Sequence, residues 1–395
     1  MNKNMALKKV RVLTLVNHYL PGYKGGGPLR SIANIVDHLS DEFEFWIIAL
    51  DRDFGDSLPY PNILQNQWQE VGSSKVYYLS EPNSSLRSLA DLISSTPHDV
   101  LYLNSFLNPI FTFKPLLARR LGWLPPRPTI VAPRGEFSEG ALQIKPFKKS
   151  IYIYITKLLK LYHNVTWQAS SSYEKADIIK ALGIRSLDIQ IALDLPIKVI
   201  DLDRSPLNYI TSDQKSNDLR IIFLSRICPK KNIDYALRIL SQVKVNVRFD
   251  IYGPLESLEY WEICKKIIHT MPPHITVTYC GSVIPADIPD TFAQYDLFFF
   301  PTRGENYGHV IAESLSVGTP VLISDQTPWR NLEADGLGWD LSLQDSIAFI
   351  NTIEQWALTP SAERHILRTS IASKTRNLLL DQDSIVANRK LFRQC

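Results

Sequence analysis

The chain is poor in cysteine, and none of it sits at metal-type spacing. The four cysteines in 395 residues are Cys228, Cys264, Cys280 and Cys395. They read as the reduced thiols of a cytosolic protein, which excludes a disulfide framework. An excess of one charge is also missing. The net charge is +3, only one short basic stretch occurs, and so no nucleic-acid partner is expected. Long apolar runs are absent near the start. Met1 to Val10 is polar and basic, and the apolar run after it is short and broken by His18 and Pro21. It is expected to be a first β-strand rather than a signal peptide or membrane span. The glycines Gly25-Gly26-Gly27 lack the spacing of a dinucleotide fingerprint, which argues against NAD. No His/Asp/Glu cluster has convincing metal-ligand spacing, so no metal or other cofactor is expected. Asp51-Arg52-Asp53 is a metal-type Asp-x-Asp. The same short pattern recurs at Asp201-Leu202-Asp203 and Asp381-Gln382-Asp383, so it carries little weight.

What remains is a soluble globular composition, 45% hydrophobic and 21% charged. The length suits two domains. Apolar β-branched runs alternate with amphipathic segments, the pattern of parallel α/β sheets. Strands are expected at 10–16, 43–50, 100–103, 129–132, 166–169 and 189–193. Helices are expected at 29–39, 109–121, 146–163 and 171–182, with Gly183 ending the last. Residues 201–218 turn polar and lose the periodicity, which marks a linker. A second alternation gives strands at 219–224, 248–252, 275–279, 297–300 and 321–323, followed by helices from about Ser342. The expected architecture is two doubly wound, Rossmann-like domains facing a central cleft. Ligands of such sheets bind beyond the carboxyl ends of the strands.

Two segments at such ends carry chemistry. The first reads DLFFFPTRGENYGHVIAESLSVGTPVLISD from Asp296. Its strand runs into a loop, and Gly308 sits where the loop becomes helix. The first N–H groups of a helix are unpaired and partly positive, a ready anion site. Glu305 and Glu313 bracket this junction, and a carboxylate accepts two hydrogen bonds from adjacent sugar hydroxyls. Phosphate donors beside hydroxyl acceptors are what a sugar nucleotide needs. Spacing alone does not separate this from a βαβ unit with two solvated glutamates. The second segment, LRIIFLSRICPKKNIDYALRIL from Leu219, places Arg226 and Lys231 in a strand-to-helix loop. Two fixed cations there can neutralise a diphosphate without metal, each close pair contributing roughly 4 kcal/mol before desolvation costs. Singly, either cation reads as a basic surface residue, and Lys231 is expected to be exposed and of little weight for stability. Together the two segments favour the phosphate reading.

The pair resembles family 4 of the retaining glycosyltransferases, which have the GT-B fold and carry an Arg-x4-Lys-Gly and a Glu-x7-Glu segment. Here the first is Arg226…Lys231-Asn232, with Asn where Gly is usual. The second is Glu305-Asn306-Tyr307-Gly308…Glu313. The resemblance extends to His18-Tyr19-Leu20-Pro21 with Gly25-Gly26-Gly27, and to Ala132-Pro133-Arg134-Gly135. It implies an acceptor-binding domain over 1–205, a linker over 206–218 and a nucleotide-sugar domain over 219–375. A helical tail over 376–395 is expected to pack back on the N-terminal domain. It further implies that Arg226 and Lys231 hold the diphosphate and that backbone from Asn306 to His309 meets the phosphate and sugar. Glu313 would hold the ribose and Glu305 the transferred sugar. Gly253 and the Gly281-Ser282-Val283 turn would bound the base pocket, and Gly25, Gly26 and Gly27 would approach the donor or acceptor.

Many relatives have a histidine in this region of the N-terminal domain, close to the transferred sugar, and here the motif offers Arg134. An electrostatic role for Arg134 in the reaction is one expectation and a solvent salt bridge the other, since arginine is no base at neutral pH. His18 is a further candidate, though a lone histidine is more often structural.

Residues 145–163, KPFKKSIYIYITKLLKLYH, bring Lys145, Lys148, Lys149, Lys157 and Lys160 broadly to one helical face. They fit either peripheral contact with an anionic membrane or a core helix with one solvated face. The expected activity is metal-independent transfer from a UDP- or GDP-linked sugar to a saccharide or lipid-linked acceptor, plausibly in surface polysaccharide assembly. The expected location is the cytoplasm, including the inner membrane face. A sugar-nucleotide epimerase and a non-catalytic scaffold are the alternatives.

Overall fold

The computed structural model describes residues 8–80, 83–198, 218–379 and 382–393. The expected linker over 206–218 lies outside them except for Asp218. Internal contacts divide the chain into two units, Met1–Lys198 with Gln382–Cys395, and Val199–Asp381.

The first unit is built on eight strands: β1 (Val10–Leu15), β2 (Phe43–Leu50), β3 (Trp68–Val71), β4 (Ser74–Leu79), β5 (Val100–Asn104), β6 (Thr129–Ala132), β7 (Thr166–Ala169) and β8 (Ile189–Ile191). Their order is β3-β4-β2-β1-β5-β6-β7-β8. All neighbours are parallel except the β3–β4 hairpin. That hairpin is absent from the sequence expectation. Its turn is Gly72-Ser73 between Val71 and Ser74, with Gly72 at φ 57°, a left-handed conformation that glycine adopts without a Cβ clash.

The last helix, Gln382–Arg393, belongs to this first unit. Phe392 packs edge-on to Phe43 and Tyr102, at ring distances of 5.7 and 5.3 Å. Full burial of such a ring contributes about 1.5–3 kcal/mol. The Asn388 amide donates to the Leu193 carbonyl at 2.8 Å. Arg389 and Arg393 both reach Glu42 at 2.6 Å.

The second unit has six parallel strands: β9 (Leu219–Leu224), β10 (Val247–Tyr252), β11 (Ile275–Gly281), β12 (Leu297–Phe300), β13 (Val321–Ser324) and β14 (Gly338–Leu341). Their order is β11-β10-β9-β12-β13-β14. Every residue of β12, Leu-Phe-Phe-Phe, is buried. A parallel strand covered on both faces needs such an unbroken apolar run rather than alternation. From β9 the chain winds outward through β10 and β11, then returns to the other side of β9 with β12. The switch point of the sheet therefore lies between β9 and β12, the place where ligands of such sheets bind.

Two expectations change. The segment 109–121 is one π-turn, Pro109–Phe113, leading into a short α-helix, Lys114–Arg120. The helix expected over 146–163 ends at Leu158. Lys145 and Lys160 have φ 54° and 50°, so both lie outside the helix and not on its face.

Candidate active site

The loops after β9 and β12 meet at the switch point of the second unit. Asn232 is the joint. Its φ of 62° is left-handed, a conformation that Gly takes freely and Asn tolerates better than other side chains. That explains why Asn can stand here in place of Gly. Asn also adds what Gly lacks: its amide donates to the Pro301 carbonyl at 2.9 Å, and its side-chain oxygen accepts from Arg303 Nε at 2.9 Å. The Arg303 amide donates to the Lys230 carbonyl at 2.8 Å. Four residues of two distant segments thus fix one loop against the other.

Lys231 and Glu305 form an ion pair across this junction, with side-chain exposures of only 9% and 13%. The Lys231 ammonium also lies 5.2 Å from the Phe300 ring centroid. The expectation of an exposed, weakly held Lys231 is corrected here. The 3-10 turn Pro229–Lys231 folds its stem inward. Arg226 is more open and pairs with Glu256 at 2.8 Å, each about 30% exposed. Glu256 had no signal in the sequence beyond its charge. Burial pulls the ammonium of the neighbouring Lys230 below its ordinary range, against the attraction of Glu305.

Gly308 caps the helix His309–Ser316 at φ 82°. A Cβ there would stand 2.9 Å from Ile311 Cδ1. Trp329 Nε1 donates to the Tyr307 carbonyl at 2.7 Å, which pins the loop just before the helix. The rings of Tyr307 and His309 lie 4.7 Å apart. Glu313 is the fifth helical residue and half-buried. It sits at the start of the second turn, less deep than its distance from Glu305 suggests, because 305–308 is loop. Asn306 is half-buried in that loop.

Gly253 follows β10 at φ 138°, and a Cβ would lie 1.8 Å from the Ser225 carbonyl oxygen. Only glycine fits. Its amide donates to the Gly281 carbonyl at 2.8 Å, and Tyr279 Oη donates to the Gly253 carbonyl at 2.9 Å. Gly253 and the Gly281-Ser282-Val283 turn are therefore neighbours. Val283 is half-buried against the core.

In the first unit the switch point lies between β1 and β5. His18 follows β1 and contacts the Arg52 carbonyl at 3.0 Å through Nδ1. Gly25 lies over it, so that a Cβ would touch His18 Cβ at 3.0 Å. Gly26 has φ 71° and caps the helix that begins at Gly27. Asp53 holds this loop: one oxygen accepts the Tyr23 and Lys24 amides at 2.8 and 3.0 Å, the other the Phe54 amide at 2.8 Å. Asp51 accepts from Gln65 at 2.6 Å and Arg52 at 2.8 Å. Both carboxylates are buried and used in the fold.

Arg134 is turned away from solvent, with its side chain 4% exposed and paired to Asp194. It donates to Asn104 Oδ1 at 2.7 Å and to the Tyr102 hydroxyl. These partners occupy all three guanidinium nitrogens. The expectation that Arg134 acts on the reacting charge gives way to a role in holding the β6 loop. The alternative of a solvent salt bridge fails as well, because the pair is buried. Next to it, Glu136 accepts from the Phe106 and Leu107 amides at 2.6 and 2.8 Å. Burial raises the Glu136 carboxyl, and these hydrogen bonds oppose the rise.

Among the described residues no group of three or more His, Cys, Asp or Glu could hold a metal ion, and no helix is long and apolar enough to cross a membrane.

Residues 218–357 match the family described as Glycosyl transferases group 1. The chain is 26% identical over 202 residues to an uncharacterized 41.2 kDa protein in the cps region of Klebsiella pneumoniae, a match covering 50% of this chain and 52% of that protein. The chain thus spans about half the length of the curated relative it matches. Among solved structures it is similar to sucrose-phosphate synthase from Thermosynechococcus elongatus, with a TM-score of 0.70, 14% identity, and coverage of 98% of this chain and 99% of that one. It is similar also to WaaG, a glycosyltransferase involved in lipopolysaccharide biosynthesis, with a TM-score of 0.65, 15% identity, and coverage of 96% and 98%. HepE of Anabaena in complex with UDP-glucose gives a TM-score of 0.64, 17% identity, and coverage of 96% and 97%. The fold is GT-B, two Rossmann-like parallel-sheet units, as the sequence led one to expect.

Proposed function

We propose that this chain is a retaining glycosyltransferase of family 4 that moves a sugar from a UDP- or GDP-linked donor without a metal ion. The observation that carries this reading is the joined pair of loops at the β9/β12 switch point. It combines two cations, two carboxylates and a helix start within one unit. HepE, which shares the fold, is known with UDP and with UDP-glucose, and this supports a nucleotide-sugar donor here.

In this reading Arg226 and Lys231 hold the diphosphate and stabilise the charge that develops as it departs, a preorganised electrostatic role. The amides from Asn306 to His309 add the partial positive charge of the helix start. Glu313 accepts from the ribose hydroxyls, and Glu305 accepts from hydroxyls of the transferred sugar and so positions its anomeric carbon. Before the donor arrives, Lys231 and Glu305 neutralise one another. Donor binding gives each a new partner, phosphate for the ammonium and sugar hydroxyls for the carboxylate. The acceptor attacks on the face the leaving group vacates. The acceptor–carbon bond forms as the carbon–phosphate oxygen bond breaks, and the leaving phosphate takes the acceptor proton. Gly253, Gly281 and Val283 border the base, and the Gly25-Gly26-Gly27 loop gives close backbone approach for a ligand of the first unit. The acceptor is a saccharide or lipid-linked saccharide of surface polysaccharide assembly. A relative encoded in a cps region and a neighbour from lipopolysaccharide biosynthesis support that choice.

The test is incubation with a panel of UDP- and GDP-sugars, with and without saccharide acceptors. A transferase gives slow hydrolysis alone and fast turnover with the right acceptor. Rapid conversion to an epimeric donor without acceptor would establish an epimerase, and silence across a panel that binds would establish a scaffold.

A further inference from the structure

The helix Pro146–Leu158 has an unusual outer face. Phe147, Ile151, Tyr154, Ile155 and Leu158 are 78%, 43%, 66%, 39% and 66% exposed. At 100° per residue these five positions form one stripe along the helix. The opposite face is narrow. Tyr152 and Ile153 pack on the core of the first unit and Thr156 is buried, with Tyr152 Oη donating to the Phe106 carbonyl at 2.9 Å. The helix is therefore not a core helix with a solvated polar face. Lys148 and Lys157 lie about a quarter turn to either side of the stripe, and Lys145 and Lys160 stand at its two ends, all four exposed. No aspartate or glutamate occurs between Glu139 and Glu174. Five lysines thus share a stretch that contains no acid of its own, and Lys149 alone of them is turned toward the field of Glu136.

We propose that this helix lies flat on an anionic lipid bilayer, its stripe sunk among the acyl chains and its lysines on the lipid phosphates. Charge selects this occupant. An apolar stripe railed by cations fits a surface that is apolar below and anionic at its rim. A second copy of the chain would bring the same exposed lysines face to face, a like-charge contact that costs affinity. The inference stands apart from the transfer chemistry, because every residue in it belongs to the first unit.

The experiment is co-sedimentation of the full chain with phosphatidylcholine vesicles, with and without phosphatidylglycerol, joined to sedimentation velocity without lipid. The expected result is binding to the anionic vesicles alone, weakened by salt. Lys148→Glu with Lys160→Glu should weaken it roughly tenfold or more. Phe147→Ser with Leu158→Ser should abolish it, with the thermal midpoint of both variants near that of the wild type, since the replaced side chains are exposed. No binding to anionic vesicles overturns the proposal. Equal binding to both vesicle types overturns its electrostatic part. A lipid-free dimer that Phe147→Ser with Leu158→Ser dissolves would show that a second copy covers the face instead.

Discussion

Lys231 and Glu305, seventy-four positions apart in sequence, form a largely buried ion pair where the loops after β9 and β12 meet. Each has been given a part in donor binding, yet in the protein they first bind each other. Removing one partner of a buried pair leaves the other charge uncompensated, which costs about 3–5 kcal/mol, whereas an isosteric neutral pair can be nearly neutral.

Lys231→Ala should therefore lose most activity and also stability, at the upper end of single-site effects. Adding Glu305→Gln to Lys231→Met should restore much of the stability and none of the activity. Urea unfolding alongside turnover checks this. A Lys231→Ala protein as stable as the wild type would show that the pair is not buried in solution.

Arg226 and Glu256 should behave differently. This pair is about 30% exposed on each side, and such pairs contribute only about 0–1 kcal/mol. Glu256→Gln should leave the midpoint of unfolding almost unchanged while altering the apparent affinity for the donor. Arg226→Ala should keep the fold and cut kcat/KM, because one charge-assisted phosphate contact is worth about 1.5–3 kcal/mol. An unfolding loss in Arg226→Ala larger than that in Lys231→Ala would reverse the order of the two sites.

Gly253→Ala tests the backbone under the proposed base pocket. The added carbon would meet the Ser225 carbonyl at 1.8 Å in a φ of 138°, so a loss on the order of 3 kcal/mol is expected. A soluble, fully stable variant would mean that the β9 and β10 loops are further apart than described.

Chelation should leave activity intact. Asp51 and Asp53, the one Asp-x-Asp pattern within the described residues near a strand end, already spend their carboxylates on Gln65, Arg52 and backbone amides. Assays in excess EDTA, then with Mn²⁺, check this. Loss of activity on chelation with rescue by Mn²⁺ would return a metal to the mechanism.

Much of this was legible in the chain itself, and the reasons for the rest are physical. Strands such as Leu219–Leu224 and Leu297–Phe300 are unbroken apolar runs ended by polar loops, so their limits read directly. The β3–β4 hairpin is short and mixed in polarity, and only its Gly72-Ser73 turn announced it. The helix Leu86–Ser95 is likewise absent from the sequence expectation, though Ser85 caps it by accepting the Ser88 amide and its leucines recur at helical spacing. Motif residues could be found by type and spacing, but not by what they touch. Arg134 is neutralised by Asp194, sixty positions away, and Lys231 by Glu305 across the switch point. Such pairings depend on strand order, which no local pattern encodes. Asn232 was visible only as a departure from the family pattern, and its left-handed backbone supplies the reason.

The central claim is that the β9/β12 junction binds a nucleotide sugar, with Glu313 on the nucleotide and Glu305 on the sugar. Calorimetric titration with UDP and GDP, and then with the matching intact donors, tests it most directly. One nucleotide should bind the wild type. Glu313→Gln should weaken both free nucleotide and donor, whereas Glu305→Gln should leave free-nucleotide affinity nearly intact and depress turnover. Failure of both nucleotides to bind, or equal loss of free-nucleotide binding in the two variants, would contradict the account.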